Sequence, residues 1–232
     1  MSRGYIATIE TGRANPTLDV VERLGHSLGV DLMLTASIAG VAHLRQRDLV
    51  HVRCSSAVQR RLTAAGLDCR REVAFSDGRA TGWIDLLAYD RARRMLIVIE
   101  IKTILDDVGA VERQAAWYER NARDIAREIG WPVRQIRAWL LALATDDVER
   151  AIATSRQALS MAFPARAREM LHELGTRGAD QQGGPKARRG LALIDPASRR
   201  ASWLIPSRTD GRRSKAPHRG YAEAAARLAR QR

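Results

Sequence analysis

Apolar positions along the chain recur at two spacings, and the spacing changes mark its elements. Met95–Thr103 is a nearly unbroken β-branched and aliphatic run, the pattern of a strand buried on both faces. The polar stretch Asp90–Arg94 separates it from a second strand, Trp83–Tyr89, which predicts a hairpin. Ahead of these, Asp48–Ala65 reads as a helix with Leu49, Val52, Val58 and Leu62 inward and Gln59, Arg60 and Arg61 outward, stopped by Gly66. Strand Cys69–Phe75 and turn Ser76-Asp77-Gly78 follow. Downstream, Val108, Val111, Ala115, Tyr118, Ala122, Ile125 and Ile129 form the stripe of an amphipathic helix, capped by Asp106 and Asp107 and ended by Gly130. Trp131-Pro132 turns the chain into a third buried strand, Val133–Ala144. A strand–helix–strand order implies a crossover and a parallel pair, so the sheet is expected to be mixed.

The two ends read differently. Ser2 caps a helix to Glu10, Thr11–Pro16 is a turn, and Thr17 caps a second helix carrying Leu18, Val21, Leu24 and Leu28, which Gly29 ends; Asp31 starts a third segment. Past the core, Thr145 or Asp146 caps a helix to about Met161, and Ala165–Leu174 is another. Thr176–Arg189 lacks periodicity and reads as a linker. Leu191–Ile194 and Ala201–Ile205 suggest a small hairpin across Asp195–Ser198; Ser207–Gly220 reads as a basic, disordered arm, and Tyr221–Arg230 as a short Arg-rich helix. The expected division is a small all-α segment, 1–40, an α/β core, 41–175, a linker, 176–190, and a hairpin with basic arm, 191–232.

Charge interrupts the buried strand. Glu100 and Lys102 stand two residues apart and so share a face, and a simple hairpin closure brings Asp85 near Glu100. Charges in an apolar sheet cost several kcal/mol unless paired or bound to an ion. Two facing carboxylates repel, and a divalent cation removes that repulsion. Asp85 followed by Glu100-Ile101-Lys102 resembles the P-D-(D/E)-X-K nuclease core, and Gln114 with Tyr118 on the next helix, as Q-x-x-x-Y, resembles its RecB-like branch. The resemblance spans Asp48 to Leu143. It implies a restriction-endonuclease-like fold, with helices flanking a central mixed sheet. By it, Asp85, Glu100 and the Ile101 carbonyl would hold Mg²⁺ or Mn²⁺. Asp85, Glu100 and Lys102 would be catalytic, and Gln114 and Tyr118 would hold the substrate strand. Relatives often carry a further glutamate on the first helix; Asp48–Ala65 has none. Glu72, on the following strand, reads as a solvated edge charge. The five histidines, His51 among them, show no metal-ligand spacing.

The phrase Ile9–Pro16, followed by Leu18 and Leu28-Gly29-Val30, resembles the phage-repressor-like, Cro/XRE-type helix-turn-helix. The resemblance makes Ser2–Glu10 the recognition helix. Ser2, Arg3, Gly4, Thr8 and Arg13 would then contact DNA, Arg13 through a phosphate, and a homodimer is expected. That domain's first two helices would precede Met1, which implies either an upstream extension or a remnant.

Composition sharpens the picture. Of 39 basic residues only Lys102, Lys186 and Lys215 are lysine, so a lysine at 102 stands out. A compact ammonium can orient water and stabilise a developing phosphorane, for which a guanidinium has a different shape. The net charge of +13 favours a polyanionic partner, with DNA the expected one. Two cysteines, Cys54 and Cys69, are too few for a disulfide framework. No run of about 18 apolar residues and no apolar leader occurs, which predicts no membrane partner and a cytoplasmic location. The expected function is DNA binding with metal-dependent phosphodiester cleavage. The alternative is a transcriptional regulator whose nuclease-like domain senses or dimerises without catalysis.

Overall fold

The computed structural model describes residues 2–28, 41–78, 80–175, 188–208 and 216–230, with 41–48 described by backbone alone. The chain divides into two compact units, Met1–Gly40 and Val41–Arg232. In the first unit, α1 (Arg3–Glu10) starts at Ser2, whose Oγ accepts from the Tyr5 N–H at 3.3 Å, and α2 (Leu18–Ser27) starts at Thr17 without a side-chain cap. The expected stripe is only partly buried. Val20 and Gly25 are buried, whereas Leu18 and Leu28 are exposed. The expected ending at Gly29 and the segment from Asp31 lie outside the described residues.

The second unit is a three-layer α/β structure. Helix α3 (Val41–Ala64) leads into strands β1 (Asp68–Ser76), β2 (Thr81–Asp90) and β3 (Met95–Lys102), followed by α4 (Val108–Ile129) and β4 (Gln135–Leu143). Next come α5 (Asp146–Thr154), α6 (Arg156–Ala162), β5 (Ala165–Arg166) and α7 (Ala167–Gly175). The chain closes with β6 (Arg189–Ile194), β7 (Leu204–Ile205) and α8 (Tyr221–Arg230). The seven strands run β1-β2-β3-β4-β6-β5, with β7 also on β6. β2 runs antiparallel to both of its neighbours, β1 and β3, and β3, β4, β6 and β5 are parallel.

Alternation along the strands divides the core. Leu86, Ala88, Ile97, Ile99 and Ile101 pack on one face with Val50, Cys54, Val58 and Leu62 of α3 and with α7 and α8. Leu96 and Val98 face Tyr118, Ala122 and Ile125 of α4, and Leu140 and Ala142 face Val111, Val148 and Leu159. Asp107 caps α4 by accepting from the Ala110 N–H, and Gly130 ends it in the left-handed region (φ 82°), which favours glycine.

Four expectations change. The inward stripe of α3 is Val50, Cys54, Val58 and Leu62, while Leu49 and Val52 are exposed. A spacing of four through a small thiol outweighs the larger aliphatics one and two residues off the stripe. The helix expected to reach Met161 is interrupted at Ser155 and becomes α5 and α6. The described part of 191–232 is no appendage: β6 lies inside the sheet and α8 buries Ala224, Ala225 and Leu228 against α3's side. The described ends of the arm expected to be disordered are packed. Ser207 and His218 are buried, and Arg208 reaches the buried Glu149 at 2.7 Å. Positions 176–187 of the expected linker and 209–215 of the arm lie outside the described residues.

Candidate active site

The site forms where β2 and β3 emerge between α3 and α4. The β2–β3 register pairs Leu86 with Ile99, so the next step outward sets Asp85 opposite Glu100. A backbone kink sharpens this. Glu72, opposite Asp85 on β1, has φ 51°, in the left-handed region that a non-glycine residue rarely adopts. Across that point the alternation slips: Leu86 packs on the α3 face, yet Ile84 packs with Tyr118 on the α4 face. Glu72 itself is exposed, as expected of an edge charge. Asp85 is thereby aimed between the layers. Its Oδ2 accepts the Ile101 N–H at 2.7 Å and lies 3.3 Å from His51 Nε2 on α3.

Glu100 and Lys102 share the α4 face. Lys102 Nζ sits 2.6 Å from Glu100 Oε1 and also donates to Gln114 Oε1 at 3.3 Å. Gln114 Nε2 donates to Tyr118 Oη at 2.5 Å, and Tyr118 Oη donates to the Trp83 carbonyl at 2.6 Å. Q-x-x-x-Y is thus one turn of α4 that ties Lys102 on β3 to Trp83 on β2. Tyr118 is also core, buried against Phe75 and Trp117, so packing and polar contact coexist in one side chain.

The electrostatics are strained around one carboxyl. Glu100 is buried, and its Oε2 has no hydrogen-bond partner. Burial, then the charge of Asp85, raise its pKa to about 7 against the opposing pull of Lys102 and His51. The hydrogen bond to Asp85 holds the His51 imidazolium above its ordinary range, against burial. Burial pushes the Tyr118 phenol up, so it stays a hydrogen-bond donor.

A buried carboxylate oxygen with no partner, beside a second carboxylate that disfavours its ionisation, suits a divalent cation. Asp85 and Glu100 approach from opposite faces of the sheet edge. Among the described residues no group of three or more His, Cys, Asp or Glu side chains forms a complete metal centre. A cation there would need backbone carbonyl or water oxygens as well, the usual habit of Mg²⁺.

His51 is the residue that sequence reasoning missed. Spacing between histidines cannot reveal it, because its partner lies 34 positions away on another element. The sequence carried no signal for it, because the edge of α3 that it shares with the buried Val50 is set by contacts with the sheet. In the first unit Arg3, Gly4, Thr8 and Arg13 are exposed, with the Thr8 hydroxyl donating to the Tyr5 carbonyl at 2.7 Å. Ser2 is used as the α1 cap. No family model and no curated protein sequence matches the chain. Among the described residues no helix is long and apolar enough to cross a membrane.

Proposed function

We propose that residues 41–232 are a divalent-cation-dependent phosphodiesterase acting on DNA, a nuclease of the P-D-(D/E)-X-K type with a RecB-like Q-x-x-x-Y helix. The carrying observation is the buried Glu100 carboxyl, whose Oε2 has no hydrogen-bond partner and whose ionisation the charge of Asp85 disfavours. Asp85, Glu100 and the Ile101 carbonyl would hold Mg²⁺ or Mn²⁺ together with water, while His51 positions the Asp85 carboxylate from α3. The cation would supply Lewis acidity, offsetting phosphate charge and acidifying a water. Lys102, which lies on Glu100 Oε1, would orient the attacking water and stabilise charge on the phosphate. Gln114 and Tyr118 hold Lys102 and the β2 backbone in fixed relation, and the strand they support meets the substrate. On this reading Ser2, Arg3, Gly4, Thr8 and Arg13 of the first unit add DNA contacts, as a homodimer.

One observation favours a second reading. The 2.6 Å Lys102–Glu100 pair neutralises itself, which a non-catalytic regulator could keep as a scaffold. Plasmid and single-strand cleavage with Mg²⁺ or Mn²⁺ and with EDTA separates the two. Metal-dependent cutting lost in both Glu100→Ala and Lys102→Ala supports the nuclease. Intact DNA in every lane, with a retained mobility shift, supports the regulator.

A further inference from the structure

Beside the candidate site, Trp83 is 62% exposed in a strand whose neighbours Gly82 and Ile84 are buried. Those neighbours pack toward α4, Gly82 so tightly that a Cβ there would collide with the Trp117 ring. Alternation therefore turns the Trp83 indole to the other side of the sheet, the side of α3, which carries His51. Its cross-strand partner is Ala74, itself exposed and too small to cover an indole. The backbone beneath the ring is fixed, because the Trp83 carbonyl takes the Tyr118 hydroxyl in the chain that ends on Lys102. An isolated exposed aromatic is ordinary; one clamped by the candidate site's own hydrogen-bond network is not. Trp83 and Asp85 are two residues apart, roughly 6.6 Å along a strand, the span of a single extended nucleotide.

We infer that Trp83 is a stacking platform for an unpaired nucleobase next to the phosphate held at Asp85 and Glu100, so that the substrate class is single-stranded nucleic acid. The inference rests on the phosphodiesterase reading. A base inside a duplex has both faces covered by its neighbours and cannot stack on a side chain. An indole flush with the strand that carries the catalytic carboxylate selects a strand already unpaired, whatever its sequence, since every base presents a π-face. The net charge of +13 supplies sequence-independent attraction to the backbone, and Trp83 adds a term that depends on the base.

Binding in EDTA, where no cutting occurs, tests this with the full-length chain at one salt concentration. The probes are labelled oligo-dT, a strand of equal length and charge with abasic sites, and a blunt duplex. Wild type should prefer oligo-dT to the abasic strand roughly tenfold. Trp83→Ala should lose that preference, Trp83→Phe should keep most of it, and duplex binding should be the same in all three. An oligo-dT preference retained in Trp83→Ala, or no preference in wild type, overturns the inference. A Trp83→Ala melting temperature matching wild type excludes unfolding as the cause, since an unfolded basic chain would bind both strands without preference. Failure of wild type to cut DNA in Mg²⁺ would sink the phosphodiesterase reading separately.

Discussion

Glu100 is where stability and function pull apart. Its ordinary pKa of 4.5 rises to about 7 in the folded chain. As pH rises between those values the unfolded chain gives up the proton first, so folding without metal becomes less favourable across that window. His51 acts in the same direction: its raised pKa gives stability that is complete below its ordinary 6.5 and is lost as pH rises through the folded value. Thermal unfolding in EDTA should therefore show a lower Tm at about pH 8 than at about pH 5. Glu100→Gln should remove most of that fall while abolishing cleavage. A Glu100→Gln protein less stable than wild type at the higher pH would contradict the strain described at this carboxyl. Lys102 has a matching signature. Lys102→Ala should cut turnover by about 10²–10³-fold, and Lys102→Arg should restore little, since a planar fork cannot reproduce a point charge at Glu100 and Gln114.

At the scale of elements, the decisive strand is β6. It lies between β4 and β5, with Leu191 and Leu193 on one face of the sheet and Ala192 and Ile194 on the other. A chain ending at Gly175 would leave the parallel edge of β4 unpaired and would strip α8 from the α3 side of the sheet. Such a fragment, although it contains every proposed catalytic residue, should fail to unfold cooperatively. A sharp thermal transition at wild-type Tm would show that β6 is dispensable. The contrast with β2–β3 explains what could be read in advance. That hairpin and α4 were legible because their periodicities are long and pure; the nearness of Asp85, Glu100 and Lys102 follows from period and local register, whereas Gln114 and Tyr118 entered through the Q-x-x-x-Y resemblance. Strand β6 and its antiparallel hairpin with β7 were legible too, but its place in the sheet was not, because six residues beyond a non-periodic stretch carry no sign of a pairing made with β4, some fifty positions earlier. The α3 stripe failed for a related reason. Cys54 and Val50 become core only through contacts with β2 and β3, and Leu49 and Val52 looked the more apolar choice. His51 needed the same tertiary placement.

For the whole molecule the question is where its positive charge resides. Residues 1–40 hold three arginines against four carboxylates, a net charge of −1, so residues 41–232 carry +14. A unit with net negative charge gains little from the counterion release that dominates non-specific DNA affinity, even with Arg3 and Arg13 exposed. The two units are also separately compact, and the second has a core of its own on both faces of its sheet. Removing residues 1–40 should therefore leave cooperative unfolding, non-specific DNA affinity and metal-dependent cutting almost unchanged. Each phosphate neutralised on a single strand contributes about −0.7 to the slope of log K against log salt, so the slope should be equal in the full chain and in Val41–Arg232. Trp83→Ala should leave the slope alone too, since an indole releases no counterion. Any contribution of the first unit should then surface only as a preference among duplex sequences. If the truncated chain instead lost most of its affinity with a shallower slope, the first unit would be the main DNA-binding surface, and the regulator reading would gain the ground that the nuclease reading gave up.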